Sequence, residues 1–178
     1  MSDLSSDPVI NVVHEGIKRG IRIAMENGCL PAAIILIYSG MDAMAYLGMP
    51  AGQDDVTRDD FVAWAERYIR FPCKEQLSGL DLYGARCAML HTHSVAARLT
   101  REGRCRMIGY TDQSSPEVSY NPKISKDLVI VSIKGLAEAF SRGIDQFLVD
   151  VFADKARGPV VEARLKKCVH RLPYEPQP

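Results

Sequence analysis

Residues 78–103 read SGLDLYGARCAMLHTHSVAARLTREG, and the rest of the chain can be read outward from them. Ser78 is placed to cap the first backbone N–H groups of a helix, and Asp81, three residues on, completes a capping box. Gly103 supplies a left-handed stop, so the spacing predicts one long helix of about six or seven turns. Inside it stand Arg86, His91 and His93, which puts half of the four histidines within three positions, beside a side chain that stays charged. On a helix advancing about 100° per residue, Arg86 and His91 point about 140° apart. His93 lies almost directly above Arg86, and Arg98 stands on the His91 stripe. For Arg86 and His91 to meet on one small group, the helix must bend, the arginine arm must reach round, or a twofold-related copy must supply a second set.

Toward the N-terminus, Asp7-Pro8 reads as an N-cap followed by proline at the first helical position. Val12, Val13, Ile17, Ile21 and Ala24 then recur at helical spacing up to Asn27-Gly28. A second helix starts at Pro31 and is apolar almost all round, as in the most buried member of a bundle. Ser39 and Asp42 are its exceptions. A carboxylate in such a helix is paired or placed at a cavity, which leaves Asp42 either a structural partner or part of a site. Thr57 and Asp60 form another capping box, and Phe61, Trp64, Ala65 and Tyr68 share one stripe of a helix expected to close at Pro72. Four antiparallel helices with short connections make a bundle.

Beyond Gly103, Arg104–Tyr110 and Asp127–Ile133 are β-rich runs separated by a turn-rich segment, read as a two-stranded hairpin. Leu136, Phe140, Ile144, Phe147, Leu148 and Val151 give a last long helix its apolar face. A short helix follows after Pro159, and the final YEPQP is read as frayed. The expected fold is mainly α, a single domain over 1–178. It consists of a helical bundle over about 8–103, a β-hairpin insertion over about 104–133 and C-terminal helices over about 134–170.

Composition narrows the function. With 178 residues and 47% hydrophobic content, there is material for one well-buried core. Lys plus Arg and Asp plus Glu are 22 each, so any anion site must be local rather than a basic coat. Five scattered cysteines without a CxxC argue against a disulfide framework and a zinc knuckle, and fit a reducing cytoplasm. The polar N-terminus carries no signal-peptide pattern, and no apolar run is read as membrane-spanning. P-loop, Rossmann and HExxH motifs are absent, which leaves Arg86 and His91 as the main chemical candidates.

A bundle carrying R-x4-H on its fourth helix, as in Arg86-Cys-Ala-Met-Leu-His91, resembles the HEPN superfamily. The resemblance implies a metal-independent endoribonuclease with no cofactor, acting on RNA as a homodimer whose motifs face across the interface. Members of the superfamily include toxins, defence effectors and RNA-processing enzymes, so the resemblance admits each of these roles and, for a toxin, a neutralising antitoxin protein as a partner. The residue after the arginine, often Asn or Asp in the family, is Cys87 here. That departure keeps open the alternative of a non-catalytic domain of the same fold that binds a nucleotide, RNA or protein.

The chemistry is coherent on its own terms. Cleaving RNA through its own 2′-hydroxyl needs a proton acceptor near neutral pH and positive charge on the phosphorane-like state, which imidazole and guanidinium supply. His91 is then base or acid, and Arg86 the phosphate clamp. His93 or Asp42 is a second proton-transfer or orienting group, and Arg98 and Arg101 grip neighbouring phosphates. Cys87 and His91, at i and i+4, offer a rival thiol–imidazole dyad or half a metal site, whose further ligands would have to come from Cys29, Cys105 or His14.

Overall fold

A computed structural model describes residues 7–168, and it is mainly helical with one small sheet. The chain enters through the expected cap, with Asp7 Oδ1 accepting from the N–H groups of Val9 (2.8 Å) and Ile10 (3.2 Å). The first helix is π-helical over Val9–Lys18 and continues as α1 (Arg19–Glu26). Next come α2 (Leu30–Gly48), α3 (Arg58–Tyr68), α4 (Gly79–Thr92) and the short α5 (Arg98–Arg101). The sheet strands β1 (Met107–Thr111), β2 (Val118–Ser119) and β3 (Leu128–Ser132) lead into α6 (Ile133–Ala153) and α7 (Arg157–Leu165).

The near-absence of polar residues in α2 makes it the central helix, packed by α1, α3, α4, α6 and α7. Tyr38, Met41, Met44 and Leu47 are fully buried there. By length and composition α2 could cross a membrane, which corrects the reading that no run reaches that length; half of it is buried by its neighbours in this fold. Gly40 permits the approach of α6, since a Cβ at that position would stand 2.8 Å from the Phe140 ring. The α3 stripe Phe61, Trp64, Ala65 and Tyr68 is buried as its spacing implies. Trp64 meets Phe140 and Phe147 edge to face at 5.9 and 6.1 Å. At the far end of α2, Arg164 of α7 donates to the carbonyls of Leu47 (3.2 Å), Met49 and Pro50 (2.7 Å). A buried cation thus satisfies carbonyls that the helix terminus leaves open.

Three expectations change. The stretch 78–103 is two helices, because α4 stops at Thr92. His93 takes the left-handed conformation (φ 51°) as its cap, with His93 N donating to Met89 O and Ser94 N to Ala88 O. Thr92 Oγ1 also donates to Ala88 O (2.9 Å), so local hydroxyl chemistry competes with continuation of the helix. Gly103 does act as a stop (φ 66°), but for α5, through Gly103 N to Thr100 O and Arg104 N to Leu99 O.

The β-rich runs do not pair as a hairpin. β1 and β3 are parallel neighbours, with Met107 opposite Leu128 and Thr111 opposite Ser132, while β2 adds antiparallel to the other side of β3. The connection over 112–127 is long enough for the crossover that parallel strands require, and it places the most apolar strand at the centre. Finally, α3 ends at Tyr68, ahead of Pro72, and α7 begins at Arg157, ahead of Pro159. The YEPQP segment lies outside the described residues.

The sheet is tied to α4 by one carboxylate. Asp81 caps α4 with Ser78 in both directions (2.9 and 3.0 Å) and also accepts from Arg106 N (2.8 Å), Nε (3.1 Å) and Nη2 (2.6 Å). A second tie joins β1 to α2, where the hydroxyls of Tyr110 and Tyr38 stand 2.7 Å apart.

Candidate active site

The capping box fixes where α4 begins, and the α2–α4 packing turns Arg86 toward Asp42. Arg86 Nε donates to Asp42 Oδ2 at 2.8 Å, and Nη2 stands 2.7 Å from the same oxygen. Both side chains are 23% exposed, so the one carboxylate in α2 is neither buried alone nor fully hydrated. Burial would make the guanidinium easier to deprotonate, but Asp42 outweighs it and raises the Arg86 pKa above its already high ordinary value. Arg86 is a fixed cation.

Its remaining arm reaches round the helix. Arg86 Nη1 lies 3.4 Å from His91 Nε2, in the exposed last turn of α4, although the two Cα positions face different sides. Guanidinium has no acceptor, so this contact is a hydrogen bond only when Nε2 carries a lone pair and the ring proton sits on Nδ1. The result is an Asp42–Arg86–His91 row running from the helix seam to solvent.

The other residues expected at the site stand apart. His93 is the exposed left-handed cap of α4 and does not lie above Arg86, because the helix has already ended. Arg98 opens α5 and pairs with Glu102 (3.3 Å), while Arg101 Nη1 donates to Ala96 O (3.4 Å). Among the described residues, none of the three makes a hydrogen bond or ion pair with Arg86, His91 or Asp42. The phosphate grip expected along one continuous stripe is therefore displaced onto a separate turn.

One neighbour of Arg86, Tyr83, went unremarked as part of a site, and Cys87 stands there in a different role from the one expected of it. Tyr83, one turn earlier, presents its ring 5.9 Å from the Arg86 guanidinium carbon and packs edge to face on Phe61 at 5.5 Å. Burial, and then the adjacent Cys87, push the Tyr83 phenol up. The Cys87 sulfur accepts from Arg86 Nη1 at 4.0 Å and makes no hydrogen bond to His91, which removes the geometry of a thiol–imidazole dyad. Cys105 packs its sulfur on Gly84; burial, then Asp81 and Cys87, push that thiol up to about 11. The spacing 83/86/87 on one helix was the available signal for this group.

No family model, curated protein or solved structure matches the chain.

Proposed function

We propose that the exposed end of α4 is the active site of a metal-independent endoribonuclease of HEPN type, with His91 as the proton-transfer group and Arg86 as the phosphate clamp. The supporting observation is the 3.4 Å approach of Arg86 Nη1 to His91 Nε2 while Asp42 holds the other side of the same guanidinium. In this reading His91 takes the proton from a 2′-hydroxyl as its oxygen attacks the adjacent phosphorus. Arg86 stabilises the charge on the non-bridging oxygens, and the P–O5′ bond breaks as the 5′-oxygen takes a proton from solvent water, producing a 2′,3′-cyclic phosphate while His91 returns its proton to solvent. Asp42 is a positioning residue, since it occupies Nε and Nη2 and leaves Nη1 to face the phosphate. The same reading carries a homodimer with apposed motifs, a neutralising antitoxin partner and a cytoplasmic setting.

A second reading is favoured by the ion pair itself. Because Arg86 is already matched to Asp42, the same surface binds RNA, a nucleotide or a protein without cutting in this reading. The two are separated by incubating the full chain with single-stranded and structured RNA in EDTA, beside Arg86→Ala and His91→Ala. Cyclic-phosphate products that fall by about 10²–10⁴-fold in both variants support the nuclease. Salt-sensitive RNA affinity with no products favours the binding module.

A further inference from the structure

Away from Arg86, His91 and Asp42, the C-terminal end of α2 borders two adjoining cavities of ≈ 270 and ≈ 470 Å³. They share Gly48, Met49, Pro50, Arg67 and Arg157 as walls. Together their size falls in the range of sites for small organic molecules. Trp64 lines the smaller one, is 5% exposed, and has a buried Nε1 with no hydrogen-bond partner among the described residues. The ring atom next to that nitrogen, Cδ1, faces the Gly48 wall, 3.4 Å from where a Cβ on Gly48 would stand. A buried N–H without an acceptor is costly, and a ligand oxygen satisfies it once the surrounding walls give enough to admit one, since the nitrogen itself presents no open surface.

The polar groups around this N–H differ in what they have left to offer. Asp60 is occupied, its Oδ2 accepting from Thr57 N (2.8 Å), Thr57 Oγ1 (2.6 Å) and Gln53 Nε2 (2.6 Å). Asp150 accepts from Arg67 (2.8 Å), Tyr68 (3.2 Å) and Gln146 (2.7 Å). Asp154 accepts from the backbone N–H groups of Ala156 and Arg157. Arg157 donates to the Tyr68 hydroxyl and feels the charge of Asp154, and it forms no ion pair within 4.0 Å among the described residues. The donors left over are therefore the neutral indole N–H and the guanidinium N–H groups that Tyr68 does not take, set in walls built from Met49, Pro50 and Val160.

We propose that this cavity binds a small organic anion with an apolar body, one carboxylate or phosphate oxygen meeting Arg157 and an acceptor taking the Trp64 Nε1–H. The chain holds a single tryptophan, so its indole N–H gives one assignable signal. The test records that signal by ¹⁵N–¹H NMR on the full chain while benzoate, phenyl phosphate or inorganic phosphate is added. A saturable downfield shift with benzoate or phenyl phosphate is expected, and the stronger of the two assigns the head group. Arg157→Gln, checked for an unchanged melting temperature, should weaken that binding about 10- to 100-fold. A shift that does not saturate, that survives Arg157→Gln, or that inorganic phosphate alone produces would overturn the proposal, as would no shift at millimolar probe.

Discussion

Each end of α4 holds an arginine against a carboxylate, and the two pairs differ in what remains unused. At the N-terminal end Asp81 is 2% exposed and collects donors from Ser78 and from three nitrogens of Arg106, whose Nη2 also donates to Gln76 O (3.0 Å). Toward the C-terminal end Asp42 and Arg86 are each 23% exposed, and Arg86 Nη1 reaches the His91 edge and the Cys87 sulfur beside the Tyr83 ring. The arginines are equally exposed, Arg106 at 24%, so the difference lies in the carboxylates: a saturated, dry Asp81 locks sheet to helix. A half-wet carboxylate whose arginine keeps one nitrogen in only long contacts, 3.4 and 4.0 Å, is oriented but still able to receive a ligand, which is what the proposed site requires.

The contrast is open to attack at several points. Asp81→Ala would strand the Arg106 guanidinium and remove the cap of α4, so a urea melt should lose about 3–5 kcal/mol. An equal loss in Asp42→Ala would erase the distinction. His91→Ala should cost less than about 0.5 kcal/mol in the same melt while removing cleavage; a large stability loss there would make His91 a strut as well.

Acid should find the same difference. Burial raises the Asp81 pKa, but the Arg106 guanidinium and the N–H groups of Ser78 and Arg106 outweigh it and hold the carboxyl below its ordinary value. A depressed folded pKa gives stability that is complete above the unfolded value of about 3.9 and is lost as pH falls through the folded one. The stability gap between the parent and Asp81→Asn should thus stay constant from neutral pH to about 5 and shrink below about 4. A gap that widens on acidification would contradict the sign.

The smallest effect concerns His93. Its left-handed backbone penalises any side chain, so His93→Gly should raise stability by about 0.5–1 kcal/mol and leave cleavage intact. Lost cleavage would return His93 to the chemistry.

Much of this was legible in local sequence. The caps at Asp7, Thr57 and Ser78, the α3 stripe and the all-apolar α2 involve partners within one turn or one face, where spacing alone sets the outcome. The break after Thr92 was masked because Gly103 offered a stronger stop signal than a Thr-His-Ser run, whose hydroxyls can also face solvent. That Asp42 would be a structural partner or part of a site was legible from its place in an apolar helix, whereas Asp81–Arg106 joins a helix cap to a strand entrance and leaves no periodic trace.

Residue spacing therefore settled where most helices begin, which face of each is buried, and that Arg86 and His91 share one helix, because these depend on steric and hydrogen-bonding preferences that act over a few residues; that this helix ends just past His91 was not among them. Whether Arg86 could reach His91, which acid would hold it, and how three short strands would order themselves were decided only in the packed molecule. Those outcomes depend on which distant surfaces bury each other. That choice is cooperative across the core, and no single stretch of chain encodes it.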